Sequence, residues 1–268
     1  MSEKTGVGDT PQLIVLDLDG TLLGEDGEVS ERNSLTLRRA VEAGARVVIA
    51  TGRPPRWLEH VRPSVPSSLA LCCNGGIVLD LDTDEVLASY PLDGTALEQA
   101  VTDLRAAGLA LAVLGEGLPE FGIATEPDFQ YRGPIEPRRM SLAEICNSYL
   151  VKFLIRPEPG FGQSIVDHFG AHYAAEFTLT RSTNDGLIEI SRAGITKGTV
   201  IAGLAAGWGI DPSSAIAFGD MPNDIEMLLW AGHSVAMGNA DDSVKAIASE
   251  TAGDHDHSAV AEVLERWF

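Results

Sequence analysis

The sequence predicts an α/β fold: a doubly wound parallel sheet interrupted by an inserted α+β segment. Two observations carry that reading. Near both ends of the chain, short apolar runs of strand length alternate with helical patterns, and strands apolar on both faces belong to parallel sheets covered by helices. In the middle, strand-like and helical pieces stop alternating one for one. The length agrees, since 268 residues at about 150 per domain fit two domains or one large one.

Leu13-Ile14-Val15-Leu16 is the first strand, and it runs into Asp17-Leu18-Asp19-Gly20. Ser30 is placed to cap a helix whose stripe takes in Leu37, Ala40 and Val41, with Gly44 as its stop. Arg46–Ala50 reads as the second strand, Pro54-Pro55 as the opening of another helix, and Leu69–Cys73 as the third strand. Residues 77–90 read as a hairpin around Asp82-Thr83-Asp84-Glu85. Helices are expected near 95–107 and 161–170, and strands near 109–114, 151–156, 175–180 and 187–191; Gly115 to Arg139 resists assignment. Beyond the insertion, Ile201, Leu204, Ala205 and Trp208 fall at i, i+3, i+4 and i+7 of a helix. Ala215–Phe218 is a strand, followed by a helix carrying Ile225, Leu228 and Leu229. His233–Met237 is a last strand, before closing helices at 241–250 and 258–267.

Composition narrows the function. With 44% apolar and 22% charged residues, the chain can bury a core without a staple. No apolar run approaches the roughly 18 residues of a membrane span. The net charge of −20 repels nucleic acid and anionic membranes, so neither is an expected partner. An anionic small molecule needs a cation and placed positive groups. Met1–Gln12 lacks the pattern of a signal peptide and reads as a frayed tail, so the cytoplasm is the expected location. Cys72, Cys73 and Cys146 show no zinc or disulfide spacing and read as buried thiols.

Four short segments carry chemistry. Asp17 and Asp19, at i and i+2 of an extended segment, point to one side at the carboxyl end of a strand. Two carboxylates held together repel, and Mg²⁺ is the natural remedy. Thr51-Gly52-Arg53 follows the second strand at the same end, where a hydroxyl and N–H groups before a helix start form a phosphate cradle. Lys197, one of four lysines, stands between Thr196 and Gly198 at the start of a helix, where its charge opposes the helix dipole unless an anion is bound. Gly219-Asp220-Met221-Pro222-Asn223-Asp224 brings two further acids and an amide to another strand end. Each piece alone has a plain alternative as a turn, a cap or a surface lysine. In order, they describe a phosphoryl-transfer site, with a carboxylate nucleophile, a second acid, a metal and contacts for phosphate oxygens.

These segments resemble the haloacid-dehalogenase-like (HAD) hydrolase superfamily and, within it, the Cof-type phosphatases. DLDGTL, ATGR, the lysine of ITKG and GDMPNDIEML match its four motifs in order. SVAMGNA (234–240) and the Asn74-Gly75-Gly76 turn are similar too. The resemblance implies a Rossmann-like core over 1–78 and 194–268, and a mobile α+β cap over 79–193 that sets substrate choice. It implies an aspartyl-phosphate on Asp17, with Asp19 as the acid that protonates the leaving oxygen and later activates water. Thr51, with Gly52, and Lys197 match phosphate contacts, and Lys197 also holds the nucleophile. Asn223 matches a phosphate-side hydrogen bonder and Arg53 a position facing substrate. Asp17, the backbone carbonyl of Asp19, and Asp220 match ligands of Mg²⁺, with Asp224 a direct or supporting one. The substrate implied is a small phosphorylated metabolite, such as a sugar phosphate.

Three features stay outside the match or compete with it. Arg132, Arg138 and Arg139 fit a solvated loop better than a substrate contact, and Asp254-His255-Asp256-His257-Ser258, where the family has an Asn/Gly-rich loop, fits an exposed polar loop better than a metal tract. A phosphometabolite-binding module without turnover, or a phosphotransferase or mutase, would use the same fold, but the intact Asp17 and Asp19 favour hydrolysis. The oligomeric state is not legible.

Overall fold

Leu13–Leu16 forms β1 with every side chain buried. Helix α1 (Glu31–Glu42) starts where the Ser30 hydroxyl accepts the N–H of Asn33. Its buried stripe is Asn33, Thr36, Leu37 and Ala40; Val41, expected there, is 40% exposed. The polar members stay inside because the Asn33 amide bridges the chain, donating to the Leu22 carbonyl and accepting the Ala261 N–H. β2 (Arg46–Ala50) and β3 (Leu69–Cys72) follow. The helix expected at Pro54-Pro55 is replaced by 3₁₀ turns at Pro55–Trp57 and Arg62–Ser64. Prolines at 54, 55, 63 and 66 remove the donors an α-helix needs. The hairpin is present as β4 (Ile77–Asp80) and β5 (Val86–Ser89).

The computed structural model describes residues 9–117, 122–131, 135–181 and 186–268. The middle of the chain contains α2 (Gly94–Ala106), β6 (Leu111–Gly117), β7 (Ile123–Thr125), β8 (Arg138–Arg139) and α3 (Leu142–Cys146). It continues with β9 (Leu150–Pro157), α4 (Gly162–His172), β10 (Phe177–Thr180) and β11 (Ile188–Arg192). Helix α3 was not expected, although Ser141 and Glu144 form a capping box that the sequence displays. Arg132 lies outside the described residues. Arg139 donates to Thr125 Oγ1 at 3.0 Å and to the carbonyls of Glu126, Pro127 and Phe129, so it fastens a loop.

The last part contains α5 (Lys197–Trp208), β12 (Ala215–Gly219), α6 (Ile225–Trp230), β13 (His233–Ala236), α7 (Asp242–Lys245), β14 (Glu250–Thr251) and α8 (Ala259–Leu264). The helix expected over 241–250 stops at Lys245 because Glu250–Thr251 pairs with β13 at the sheet edge. The second closing helix is shorter than expected. Leu229, expected in the buried stripe of α6, is 63% exposed; Met227 and Leu228 supply that stripe. Cys72, Cys73 and Cys146 are buried and form no disulfide.

The contacts divide the chain into two compact units, Met1–Leu87 with Lys197–Phe268, and Ala88–Thr196. The hairpin of β4 and β5 extends the first unit's sheet, so the division falls later than the residue 78/79 boundary expected from sequence. That sheet has the order β14-β13-β12-β1-β2-β3-β4-β5. It is parallel from β14 to β3 and turns antiparallel at β4, the doubly wound architecture read from sequence. The chain leaves β1 toward β2 on one side and returns to β12 on the other, which makes the carboxyl end of β1 a topological switch point. In the second unit the sheet order is β10-β11-β9-β6-β7-β8. Phe153, Ile155, Phe169, Leu97 and Val101 share its main apolar cluster. Lys152 and Glu189 form a buried ion pair on adjacent strands, β9 and β11.

Helices α5 and α6 pack closely at Gly198, where a Cβ would lie 2.6 Å from the Glu226 carbonyl carbon. Backbone cannot yield as a side-chain tip can, so overlap outweighs the roughly 1 kcal/mol of helix propensity that alanine offers. Gly198→Ala is expected to destabilise the protein by about 1–3 kcal/mol in urea unfolding; unchanged stability would mean that the helix contact is loose.

Candidate active site

Pairing of β1 with β12 and β2 delivers the site. Asp17 follows β1 directly, and its N–H donates to Phe218 O at 3.2 Å, one step beyond the last register pair of the two strands, Leu16 with Phe218. Its carboxylate is buried, and Oδ1 accepts Lys197 Nζ at 2.7 Å. The chain then turns sharply, with the N–H groups of Thr21, Leu22 and Leu23 all donating to Leu18 O. Gly20 makes the turn at φ +74°, and a Cβ there would lie 2.3 Å from Asp220 Oδ2. Both demands admit only glycine.

Asp19 has a different environment from Asp17. Its side chain is 61% exposed and takes both arms of the Arg53 guanidinium, at 2.6 and 2.8 Å. Arg53 also lies 3.3 Å from His60 Nε2. Thr51 is fully buried after β2, and its hydroxyl accepts the Arg53 N–H at 3.0 Å. No α-helix starts behind Thr51-Gly52-Arg53, since a 3₁₀ turn follows. The helix start expected to strengthen a phosphate cradle is therefore not there.

Lys197 is the first residue of α5 and is 1% exposed. Its Nζ donates to Asp17 Oδ1 and, at 2.6 Å, to Asp224 Oδ1. Asp224 Oδ2 accepts the N–H groups of Asp220 and Met221, each at 3.0 Å. Asp224 thus has donors on both oxygens and supports the Asp220 loop. Asp220 Oδ1 accepts the Thr21 hydroxyl at 3.3 Å. Asn223 is buried, and its Nδ2 donates to Asn74 Oδ1 at 3.1 Å. The 237–241 segment is tied to the same loops, with Asp241 N–H on Asp220 O and Asn239 Nδ2 on Gly20 O, both at 2.8 Å. Thr21 and Asn239 were not read from the sequence as site residues, and Asn74 only as part of a resembling turn. Ordinary polar types in loops give no periodic signal.

Oxygens of Asp17, Asp220 and Asp224 lie within 4.8 Å of one another. Three carboxylates against one ammonium leave a formal charge of −2 if all are ionised, and the shortfall falls on the acids. Burial works against the charge of Lys197, but Asp17 and Asp224 hold its ammonium above the ordinary lysine range. Burial pushes the Asp17 carboxyl well above the carboxylate range against the pull of Lys197, and Asp224, Asp220 and Asp19 push the same way. Burial, then Asp224, push Asp220 up to about 7 against Lys197 and Thr21. An all-oxygen set with an excess of two negative charges fits a hard divalent cation. Asp254, His255 and Asp256 also cluster, but Asp256 Oδ1 accepts the Glu25 N–H and His255 Nδ1 lies 2.7 Å from Leu23 O, so they fasten the loop after β1.

An α/β sheet with a lysine-backed carboxylate at its switch point, beside acids suited to a divalent cation, defines a phosphoryl-transfer hydrolase. The chain belongs to the haloacid dehalogenase-like hydrolase family, which it matches over residues 14–264. It is 30% identical to the pyridoxal phosphate phosphatase YbhA of Escherichia coli over 95% of this chain and 98% of that one. It is 28% identical to the 5-amino-6-(5-phospho-D-ribitylamino)uracil phosphatase YitU of Bacillus subtilis, covering 96% and 98%. It shares the fold of a HAD phosphatase of Bacteroides thetaiotaomicron, with a TM-score of 0.82, 22% identity and 98% of each chain covered. The protein is a phosphoric monoester hydrolase of this family, whose members generally use a divalent metal. Among the described residues, no helix is long and apolar enough to cross a membrane.

The raised Asp220 carboxyl sets a pH dependence. Unfolded, an aspartate titrates near 3.9; folded, Asp220 titrates near 7. Between these values the folded state binds more protons, so stability falls as pH rises and the penalty is complete above about 7. In chelator, Tm is expected to fall from pH 4 to 7 more steeply for the parent than for Asp220→Asn, and Mg²⁺ is expected to recover the loss at pH 7. Parallel curves would show that Asp220 is not protonated in the folded state.

Proposed function

We propose that the protein hydrolyses a small phosphorylated metabolite with Mg²⁺, through a phosphoryl intermediate on Asp17. The observation that carries this reading is the buried ammonium of Lys197 between Asp17 and Asp224, with Asp220 alongside. Lysine bonds one Asp17 oxygen and leaves the other for attack at phosphorus. The Asp17 oxygen–phosphorus bond forms as the ester oxygen leaves, and Asp19 supplies the proton that this oxygen takes. Asp19 then accepts a proton from water, whose oxygen attacks phosphorus and breaks the bond to Asp17. Inorganic phosphate leaves, and both acids return to their starting state.

Thr51, the Gly52 backbone and Asn223 are the groups proposed to hold the phosphoryl oxygens. Arg53, which lies on Asp19, is proposed to face the substrate. Asp17, the Asp19 carbonyl and Asp220 would hold the metal, with Asp224 orienting Asp220. When bound, Mg²⁺ supplies positive charge to phosphoryl oxygens that the Lys197 ammonium, already shared by two carboxylates, cannot balance. The inserted unit is proposed to set substrate choice. The named activities of YbhA and YitU make pyridoxal phosphate and 5-amino-6-(5-phospho-D-ribitylamino)uracil the first compounds to test.

Phosphate release from a panel of phosphomonoesters is expected with Mg²⁺ and not with chelator. Asp17→Asn is expected to lower kcat by at least about a thousandfold without lowering Tm, because it removes a carboxylate that burial disfavours. Parent-like turnover in that variant would dismiss Asp17 as nucleophile. Transfer to a second organic acceptor, without free phosphate, would replace hydrolysis by phosphotransfer.

A further inference from the structure

The turn after β3 is built in an unfavourable backbone region. Cys73, Asn74 and Gly75 have φ of +53°, +59° and +95°, and side chains other than those of Asn and Asp resist that region. Two hydrogen bonds hold the turn there: the Cys73 N–H donates to Arg53 O and the Asn74 N–H to Thr51 O, both at 3.0 Å. The Asn74 side chain is 1% exposed and reaches Asn223, so one residue ties the loop after β2 to the loop after β12. Strain held in place by surrounding contacts clusters at functional sites.

The pair has an unresolved polarity. Asn223 Nδ2 is spent on Asn74 Oδ1, while Asn223 Oδ1 is buried with no hydrogen-bond partner among the described residues. A phosphoryl oxygen cannot satisfy that atom, because both are acceptors. Turning both carboxamides over exchanges the roles. Asn74 Nδ2 then donates to Asn223 Oδ1, and Asn223 Nδ2 takes the orphaned position as a donor, which a phosphoryl oxygen does satisfy.

We infer that Asn74 is a positioning residue: its amide donates to Asn223 Oδ1 and thereby aims Asn223 Nδ2 at the phosphoryl group. The inference rests on Asn223 as a phosphate contact. A purely structural account makes Asn74 only a tolerable left-handed residue, and glycine would fill that role better.

The test uses Asn74→Gly, Asn223→Ala and the double variant in the full chain, with p-nitrophenyl phosphate as substrate, Mg²⁺ present and inorganic phosphate as competitive inhibitor. Each single change is expected to lower kcat/KM by about 10- to 100-fold and to weaken phosphate inhibition. The double variant is expected to be no slower than Asn223→Ala, because Asn74 acts through Asn223. Asn74→Gly with parent kinetics, or losses that multiply in the double variant, would overturn the inference. If Asn223→Ala keeps parent kinetics while Asp17→Asn is inactive, the phosphate contact is wrong and this inference falls with it, leaving the hydrolase reading intact. Should Asn74→Gly fail to fold, Asn74→Asp decides: it accepts the left-handed turn but cannot donate, so parent-like activity would overturn the inference.

Discussion

The Lys197 ammonium lies between Asp17 and Asp224 where water has almost no access. A buried charge is costly unless paired and hydrogen-bonded, so this contact constrains the parts that supply it. β1 must end at Asp17, α5 must begin at Lys197, and the turn after β12 must present Asp224 from the other side. Gly198 lets α5 approach α6 closely enough. Asp224 then uses its second oxygen to fix the N–H groups of Asp220 and Met221. One lysine thus orders the proposed nucleophile and a candidate metal ligand.

The same contact leaves the cluster unbalanced. A second lysine would neutralise more of the charge, but it would also occupy the carboxylate oxygens that the chemistry needs. Burial, with the excess negative charge behind it, keeps Asp17 and Asp220 above their ordinary titration range, and that excess charge gives a divalent cation its purchase. Asp19 stands in a separate environment. Its exposure and its pairing with Arg53 set it apart from the buried acids, although it is only two residues from Asp17.

Backbone bonds between loops hold these groups in place. The turn after β3 hangs on the carbonyls of Thr51 and Arg53, and the chain after β13 is tied to Gly219 and Asp220. Loops bonded to one another at the carboxyl ends of parallel strands move less than independent ones, which suits a site that works by positioning. The second unit has its own sheet and its own apolar cluster.

Much of this was legible in the residues alone. Uninterrupted apolar runs such as Leu13–Leu16 and Ala215–Phe218 identify buried parallel strands, because nothing else needs both faces apolar at that length. The order of Asp17, Thr51 and Asp220 at strand ends, with Lys197 at a helix start, pointed to the chemistry, because a parallel sheet brings such strand ends together. Local signals failed where long-range pairing decided the outcome. Glu250–Thr251 became a strand only because β13 offers it an edge, and Val41 and Leu229 face outward because neighbouring elements cover other faces. The partnership of Asn74 with Asn223 spans 149 residues and has no periodicity to announce it. Sequence determined which residue types stand at each strand end; tertiary structure alone decided which oxygen meets which nitrogen, since hydrogen bonds depend on ångström distances that no linear spacing encodes.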